Sequence, residues 1–136
     1  MTSPTVSAVL FDLDGTLIDT APEFIHIGLQ LRAEAGLPPI DAKTIWHSVS
    51  NGAIGMVEAA LEMPADDPAF EQWRQRFLTL YETGLGDLSH PYPGLPELVA
   101  GLDKARIAWG VVTNKLARFA LPLMDKMPFD PAAGAV

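Results

Sequence analysis

The chain has no cysteine, so neither a disulfide framework nor a thiolate metal site is open to it. Its three histidines, His26, His47 and His90, are too scattered along the sequence to form a metal cluster and read as structural. Basic residues are scarce. Nine Lys and Arg against 17 Asp and Glu give a net charge of −8, which argues against non-specific binding to nucleic acid or to an anionic membrane. No apolar run approaches the about 20 residues of a membrane span, and the N-terminus has neither a basic n-region nor a signal-type apolar region, so the cytoplasm is the expected compartment. What is present is globular: 136 residues, 49% hydrophobic and 19% charged, suit one domain or one domain with a small insertion.

The excess acid is unevenly placed. Residues 19–90 carry 11 acidic and 4 basic side chains, net −7, which reads as a solvated helical surface rather than a site for a cationic substrate. Within it Arg32, Lys43, Arg74 and Arg76 could meet an anionic substrate, but solvated faces are the expectation.

Taken in order, residues 1–5 have little to bury and read as a loose terminus. Val6 to Phe11 is an apolar run without clean alternation, which suits a strand covered on both faces and ended by Gly15. Thr20 and Glu23, with Pro22 between them, have capping-box spacing for a helix that carries Phe24, Ile27, Gly28 and Leu31 and stops at Gly36; Asp19 reads as a helix-start residue. A short helix around Ile45 and Trp46 is expected to end near Ser50–Gly52, and a third, with Ile54, Val57 and Leu61, before Pro64. Phe70, Trp73, Phe77, Leu80 and Tyr81 recur at spacings of three and four and predict a fourth helix whose aromatics form core.

The run from His90 to Gly94, with two prolines, marks a return connection. Leu95, Leu98, Val99 and Leu102 predict a helix, Ile107 to Val112 a second buried strand, and Leu116 to Met127 another helix, with Ala132 to Val136 as the start of a third strand. The alternation is that of an α/β protein with a helical insert.

Two strand ends carry the chemistry. Asp12 and Asp14, with one leucine between them, end the first strand; Thr113 and Asn114 end the second. Two close carboxylates repel unless a cation or a proton separates them, and burying them is costly. In open parallel sheets ligands bind beyond the carboxyl ends of the strands. If these strands are neighbours, two carboxylates meet a hydroxyl and an amide, a suitable setting for a hard cation and a phosphate. Mg²⁺ commonly takes one or two carboxylates and completes its shell with phosphate oxygens and water. Exposed N–H groups in the turn after Asp12 are candidate phosphate donors. Thr113-Asn114 also reads as a helix N-cap, and an isolated D-x-D-G is often only a turn.

The stretch Asp12-Leu13-Asp14-Gly15-Thr16-Leu17-Ile18-Asp19-Thr20, with Val111-Val112-Thr113-Asn114-Lys115, resembles the first two motifs of the haloacid-dehalogenase-like phosphohydrolases. Thr113-Asn114-Lys115 and Ser50-Asn51-Gly52 look most like the phosphoglycolate phosphatases among them. The resemblance implies an α/β fold with a Rossmann-type parallel-sheet core, incomplete here, at residues 1–17 and 91–136, and a helical cap at 18–90. It implies a Mg²⁺-dependent phosphomonoester hydrolase acting on a small phosphorylated metabolite. Asp12 would be the nucleophile, forming an aspartyl-phosphate, and Asp14 the general acid and base. Mg²⁺ would be held by Asp12 and the main-chain carbonyl of Asp14. Thr113, with N–H groups at Leu13 and Asn114, would bind the phosphoryl group, and Lys115 would offset its charge or meet the cap.

The family's third and fourth motifs, a phosphate-screening lysine and an acid pair, do not occur before Val136, so the chain is expected to be an incomplete fragment of the enzyme. Its open sheet edges offer a route to self-association. Two other readings share the motifs: a phosphosugar mutase of the same superfamily, and a catalytically inactive interaction module.

Overall fold

The apolar run Ala8-Val9-Leu10-Phe11 forms the first strand, β1 (Ala8–Phe11), in which Val9 and Phe11 are less exposed than Ala8 and Leu10. In the computed structural model, which describes residues 5–136, β1 pairs in parallel with β4 (Ala108–Val111), Ala8 opposite Ala108 and Phe11 opposite Val111. The loose terminus expected at residues 1–5 lies outside the described residues except for exposed Thr5. The strand was expected to be covered on both faces. Instead Trp109 and Val111 are buried on one face, while Leu10 (65% exposed) and Val112 (59%) lie open on the other. A two-stranded sheet has too little surface to recruit cover on both sides.

The strands β2 (Ile18–Asp19) and β3 (His90–Pro91) form a second, antiparallel pair that the sequence pattern does not announce. Asp19 therefore sits in a strand rather than at a helix start. The remaining helices are α1 (Ala21–Glu34), α2 (Ala42–Trp46), α3 (Gly52–Leu61), α4 (Phe70–Thr83), α5 (Leu95–Lys104) and α6 (Ala117–Lys126). The chain divides into two units, one made of the described residues up to Asp19 with His90–Val136, the other Thr20–Ser89. Among the described residues no helix is long and apolar enough to cross a membrane.

In the helical unit α1 buries Phe24, Ile27, Gly28 and Leu31, the expected stripe. Gly28 permits close packing: a Cβ there would lie 3.0 Å from both Ile45 Cδ1 and Met56 Cε. Phe24 stacks on Phe77 and Tyr81, at centroid distances of 5.6 and 5.0 Å, so these two aromatics of α4 are core together with buried Phe70, whereas Trp73 is only half-buried.

Three local expectations fail. The capping box at Thr20 does not form, because Thr20 has helical φ and ψ (−97°, −5°) and its side chain makes no capping bond. Glu23 is buried instead, accepting hydrogen bonds from Gly86 N–H at 2.8 Å and from the Ser89 hydroxyl, which ties the two ends of the insert together. Arg32 is also buried rather than solvated: its guanidinium donates to the carbonyls of Pro38 and Ala60 and to Glu62. Meanwhile α2 is capped by Asp41, whose Oδ1 accepts from Lys43 N–H at 2.8 Å, and ends earlier than expected, with a separate 3-10 turn at Val49–Asn51.

In the other unit, residues 132–136 are not a strand. They make two backbone hydrogen bonds to β4, Gly134 N–H to Trp109 C=O (3.0 Å) and Val111 N–H to Ala135 C=O (2.9 Å). The tail follows Pro128 and Pro131, which cannot donate to a ladder.

Candidate active site

The site is built at the carboxyl end of the β1–β4 pair. The last ladder contact, Val112 N–H to Phe11 C=O at 2.8 Å, holds the two strand ends side by side, so Asp12 and Thr113 leave the same edge of the sheet. Asp12, Leu13 and Asp14 continue the alternation beyond β1. Leu13 is fully buried and anchors the segment, while Asp12 is exposed and Asp14 half-buried on the other side.

The turn that follows is closed by its own backbone. Leu17 N–H is within 3.2 Å of Asp12 C=O and 3.1 Å of Leu13 C=O, and Ile18 N–H donates to Leu13 C=O at 3.1 Å. Gly15 N–H returns to Ile18 C=O at 2.9 Å. Gly15 has φ +77°, a region that a side chain makes costly, so the glycine after the second aspartate is a backbone requirement. Leu17 and Ile18, both fully buried, hold the far side of the turn.

The side chains are distributed as follows. Asp12 Oδ1 accepts the N–H of Leu13 at 2.8 Å, so the amide read from the sequence as a phosphate donor is here engaged with the neighbouring carboxylate. Thr113 Oγ1 accepts from Lys115 N–H at 3.0 Å, which leaves the Thr113 hydroxyl its proton to donate. Asn114 is exposed. Neither Thr113 nor Asn114 caps a helix, since α6 begins at Ala117 with Leu116 as its cap residue.

Lys115 reaches back across the site, and its Nζ lies 2.9 Å from Asp14 Oδ1. The structure thus brings Lys115 and Asp14 into contact, a pairing for which the sequence offered only the lysine after Thr113-Asn114. Nearby, burial and then the charge of Asp19 push the Tyr92 phenol up from its ordinary pKa.

Among the described residues there is no group of three or more His, Asp or Glu side chains that could cage a metal. The donors present are carboxylate and main-chain oxygens at one strand end. They fit a hard cation that takes one or two protein carboxylates and fills its shell with phosphate and water, and would not suffice for a fully protein-liganded Zn²⁺ or Ca²⁺.

The sequence profile of the haloacid dehalogenase-like hydrolases matches residues 9–131, nearly the whole chain. The chain belongs to this family. Over 124 residues it is 50% identical to the N-acetylmuramic acid 6-phosphate phosphatase of Pseudomonas aeruginosa, covering 91% of this chain and 55% of that protein. It is 39% identical over 135 residues to the phosphoglycolate phosphatase of Agrobacterium fabrum, covering 93% and 56%. The chain therefore spans about half the length of the curated relatives it matches. A crystal structure from Haemophilus somnus, described as a predicted phosphoglycolate phosphatase, superposes with a TM-score of 0.78 at 23% identity over 96% of this chain and 61% of that one. That likeness establishes the fold: a haloacid dehalogenase-like α/β core with a helical cap.

Proposed function

We propose that the protein is a Mg²⁺-dependent phosphomonoester hydrolase and that this chain carries its nucleophile, its acid–base carboxyl and its cap. Residues 1–17 and 91–136 would form the core and 18–90 the cap. The observation that carries the reading is the in-register parallel pairing of β1 with β4, which sets Asp12, Asp14 and Thr113 at one sheet edge.

In this scheme Asp12 attacks phosphorus, the bond to the ester oxygen breaks, and Asp14 gives its proton to the departing alkoxide. Asp14 then takes a proton from water as that water attacks the aspartyl-phosphate, which releases phosphate and restores the Asp12 carboxylate. The Thr113 hydroxyl and the N–H groups of Leu13 and Asn114 bind the phosphoryl oxygens; the phosphoryl group competes with Asp12 for the Leu13 amide. Mg²⁺, held by Asp12 and the main-chain carbonyl of Asp14, would neutralise phosphoryl charge. Positioning and electrostatics supply most of the acceleration, because charge on the phosphoryl oxygens and leaving group is what the reaction must stabilise.

The substrate class is a small phosphorylated acid. This rests on relatives named for N-acetylmuramic acid 6-phosphate and for phosphoglycolate, each of which joins a phosphate ester to a carboxylate. The greater identity to the first favours the amino-sugar phosphate over phosphoglycolate. Because the chain spans about half of those relatives, turnover by it alone should fall far below that of a full-length relative. The test is phosphate release from both esters with and without Mg²⁺, alongside Mg²⁺ binding by calorimetry. Mg²⁺ binding that Asp12→Asn weakens, with any phosphate release lost in the same variant, supports the reading. Binding and hydrolysis indifferent to Asp12→Asn refute it.

A further inference from the structure

We infer that the outer edge of β1 is a dimerisation surface, at which a second copy of this chain adds its own β1 in antiparallel register. The inference stands apart from the phosphatase reading, and it singles out one edge of the sheet and one occupant.

The two edges of the sheet differ. Ser7 C=O accepts from Ala108 N–H at 3.2 Å and Phe11 C=O from Val112 N–H at 2.8 Å, so alternate residues of β1 serve the ladder to β4. Ala8 and Leu10 turn their N–H and C=O groups to the other side, where no strand pairs with them among the described residues. Beyond β4 the edge is closed: Gly134 N–H donates to Trp109 C=O at 3.0 Å, and Ala135 C=O accepts from Val111 N–H at 2.9 Å. The edge of β1 is also accessible, with Ala8 exposed and Leu10 65% exposed. It lacks two usual guards against pairing, since residues 5–11 contain no charge and no proline.

A second copy fits this edge because the strand is self-complementary about Val9. With Val9 opposite its own counterpart, Ala8 faces Leu10 of the other copy and Leu10 faces Ala8, so each pair exchanges both hydrogen bonds. Each large Leu10 then lies beside a small Ala8. Asp12 falls opposite Val6, which keeps the carboxylates of the two copies apart. The join turns two two-stranded sheets into one, and a two-stranded sheet by itself is marginal in water. A two-fold axis makes the contact isologous, and the closed edge of β4 stops further addition, so growth ends at two copies. The strands run in opposite directions, which sends the two Asp12 ends to opposite ends of the joined sheet. A strand of 4 residues buries far less than the about 1,200 Å² of a stable interface, and each copy carries a net charge of −8. The dimer is therefore transient, and salt strengthens it by screening the repulsion.

The experiment is sedimentation equilibrium of the full chain from about 10 μM to about 1 mM, at low and high salt. The average mass should rise from that of one copy toward that of two and stop there. Raising salt from about 0.05 M to about 0.5 M should tighten association roughly three- to tenfold. Leu10→Lys sets like charges at the join and should hold the chain at one copy throughout. Ala8→Pro should do the same, because it removes an outward N–H and leaves the ladder to β4 intact. Leu121→Lys, at a position 48% exposed on α6, should leave association unchanged. Circular dichroism confirms the fold of each variant, and the two edge variants act through different groups, so either decides if the other unfolds. A single copy at every concentration overturns the inference, and is the result expected if the edge takes a different polypeptide. Association that both edge variants leave intact, or that Leu121→Lys abolishes equally, overturns the assignment to β1. Growth beyond two copies overturns closure at the β4 edge.

Discussion

Replacing Arg32 by Met should destabilise the helical unit by about 2–4 kcal/mol, whereas Glu62→Gln should cost less than about 1 kcal/mol. The two residues form one ion pair at 3.0 Å, so an account based on the salt bridge would predict similar losses. The surroundings say otherwise. Arg32 is buried, with 7% of its side chain exposed, while Glu62 is 72% exposed and can hydrate if its partner is removed. Arg32 also donates to Ala60 C=O at 2.8 Å and to Pro38 C=O. Ala60 stands in the last turn of α3, where the final carbonyls have no partner within the helix.

A methionine fills similar volume but leaves those two carbonyls without a donor, at about 1–3 kcal/mol for each one that water cannot reach. It also removes a positive charge from the negative end of the α3 dipole, worth about 0.3–1 kcal/mol. Relief from burying a guanidinium offsets part of this, which sets the lower end of the range. The assay is urea unfolding followed by helical circular dichroism, with the slope checked to be unchanged. Equal losses for Arg32→Met and Glu62→Gln, or a loss below about 1 kcal/mol for Arg32→Met, would refute the carbonyl-capping account.

Two further outcomes follow from burial and charge. Leu13→Ala should cost about 2–5 kcal/mol and Leu10→Ala less than about 1, although they are three residues apart, because Leu13 is fully enclosed and Leu10 is 65% exposed; comparable losses in thermal unfolding would mean that the β1 face is covered after all. The Glu34 carboxyl, held by the Arg76 guanidinium and by Gln30, is lowered from 4.5 to about 2, so its contribution is whole above pH 4.5 and lost as the pH falls through about 2. Glu34→Gln should therefore lower the melting temperature slightly at pH 7 and much less at pH 2, and the difference should shrink in 1 M salt because the pair is at the surface; a difference as large at pH 2 as at pH 7 would contradict the ion-pair account.

The elements were legible where local patterning and packing agree. The stripe of α4 is set by residues three and four apart, and a helix that buries Phe70, Phe77 and Tyr81 satisfies that spacing with no outside information. Burial by itself was not legible. Glu23 has capping-box spacing to Thr20, yet its carboxylate goes to Gly86 and Ser89, more than 60 residues away in sequence. Arg32 looked like any charged residue on a solvated helix until the end of α3 was placed beside it.

The candidate site divides along the same line. By itself the sequence determined that an apolar strand ends in Asp12 and Asp14 at a glycine, because a run of apolar residues closed by a glycine is a local signal that depends on neighbours only a few residues apart. Only the tertiary structure decided that β4 lies beside β1, that one face of the pair is open, and that Lys115 Nζ lies 2.9 Å from Asp14 Oδ1. Those outcomes join residues about a hundred positions apart, and contacts at that separation are chosen by chain topology and burial, which no local pattern encodes.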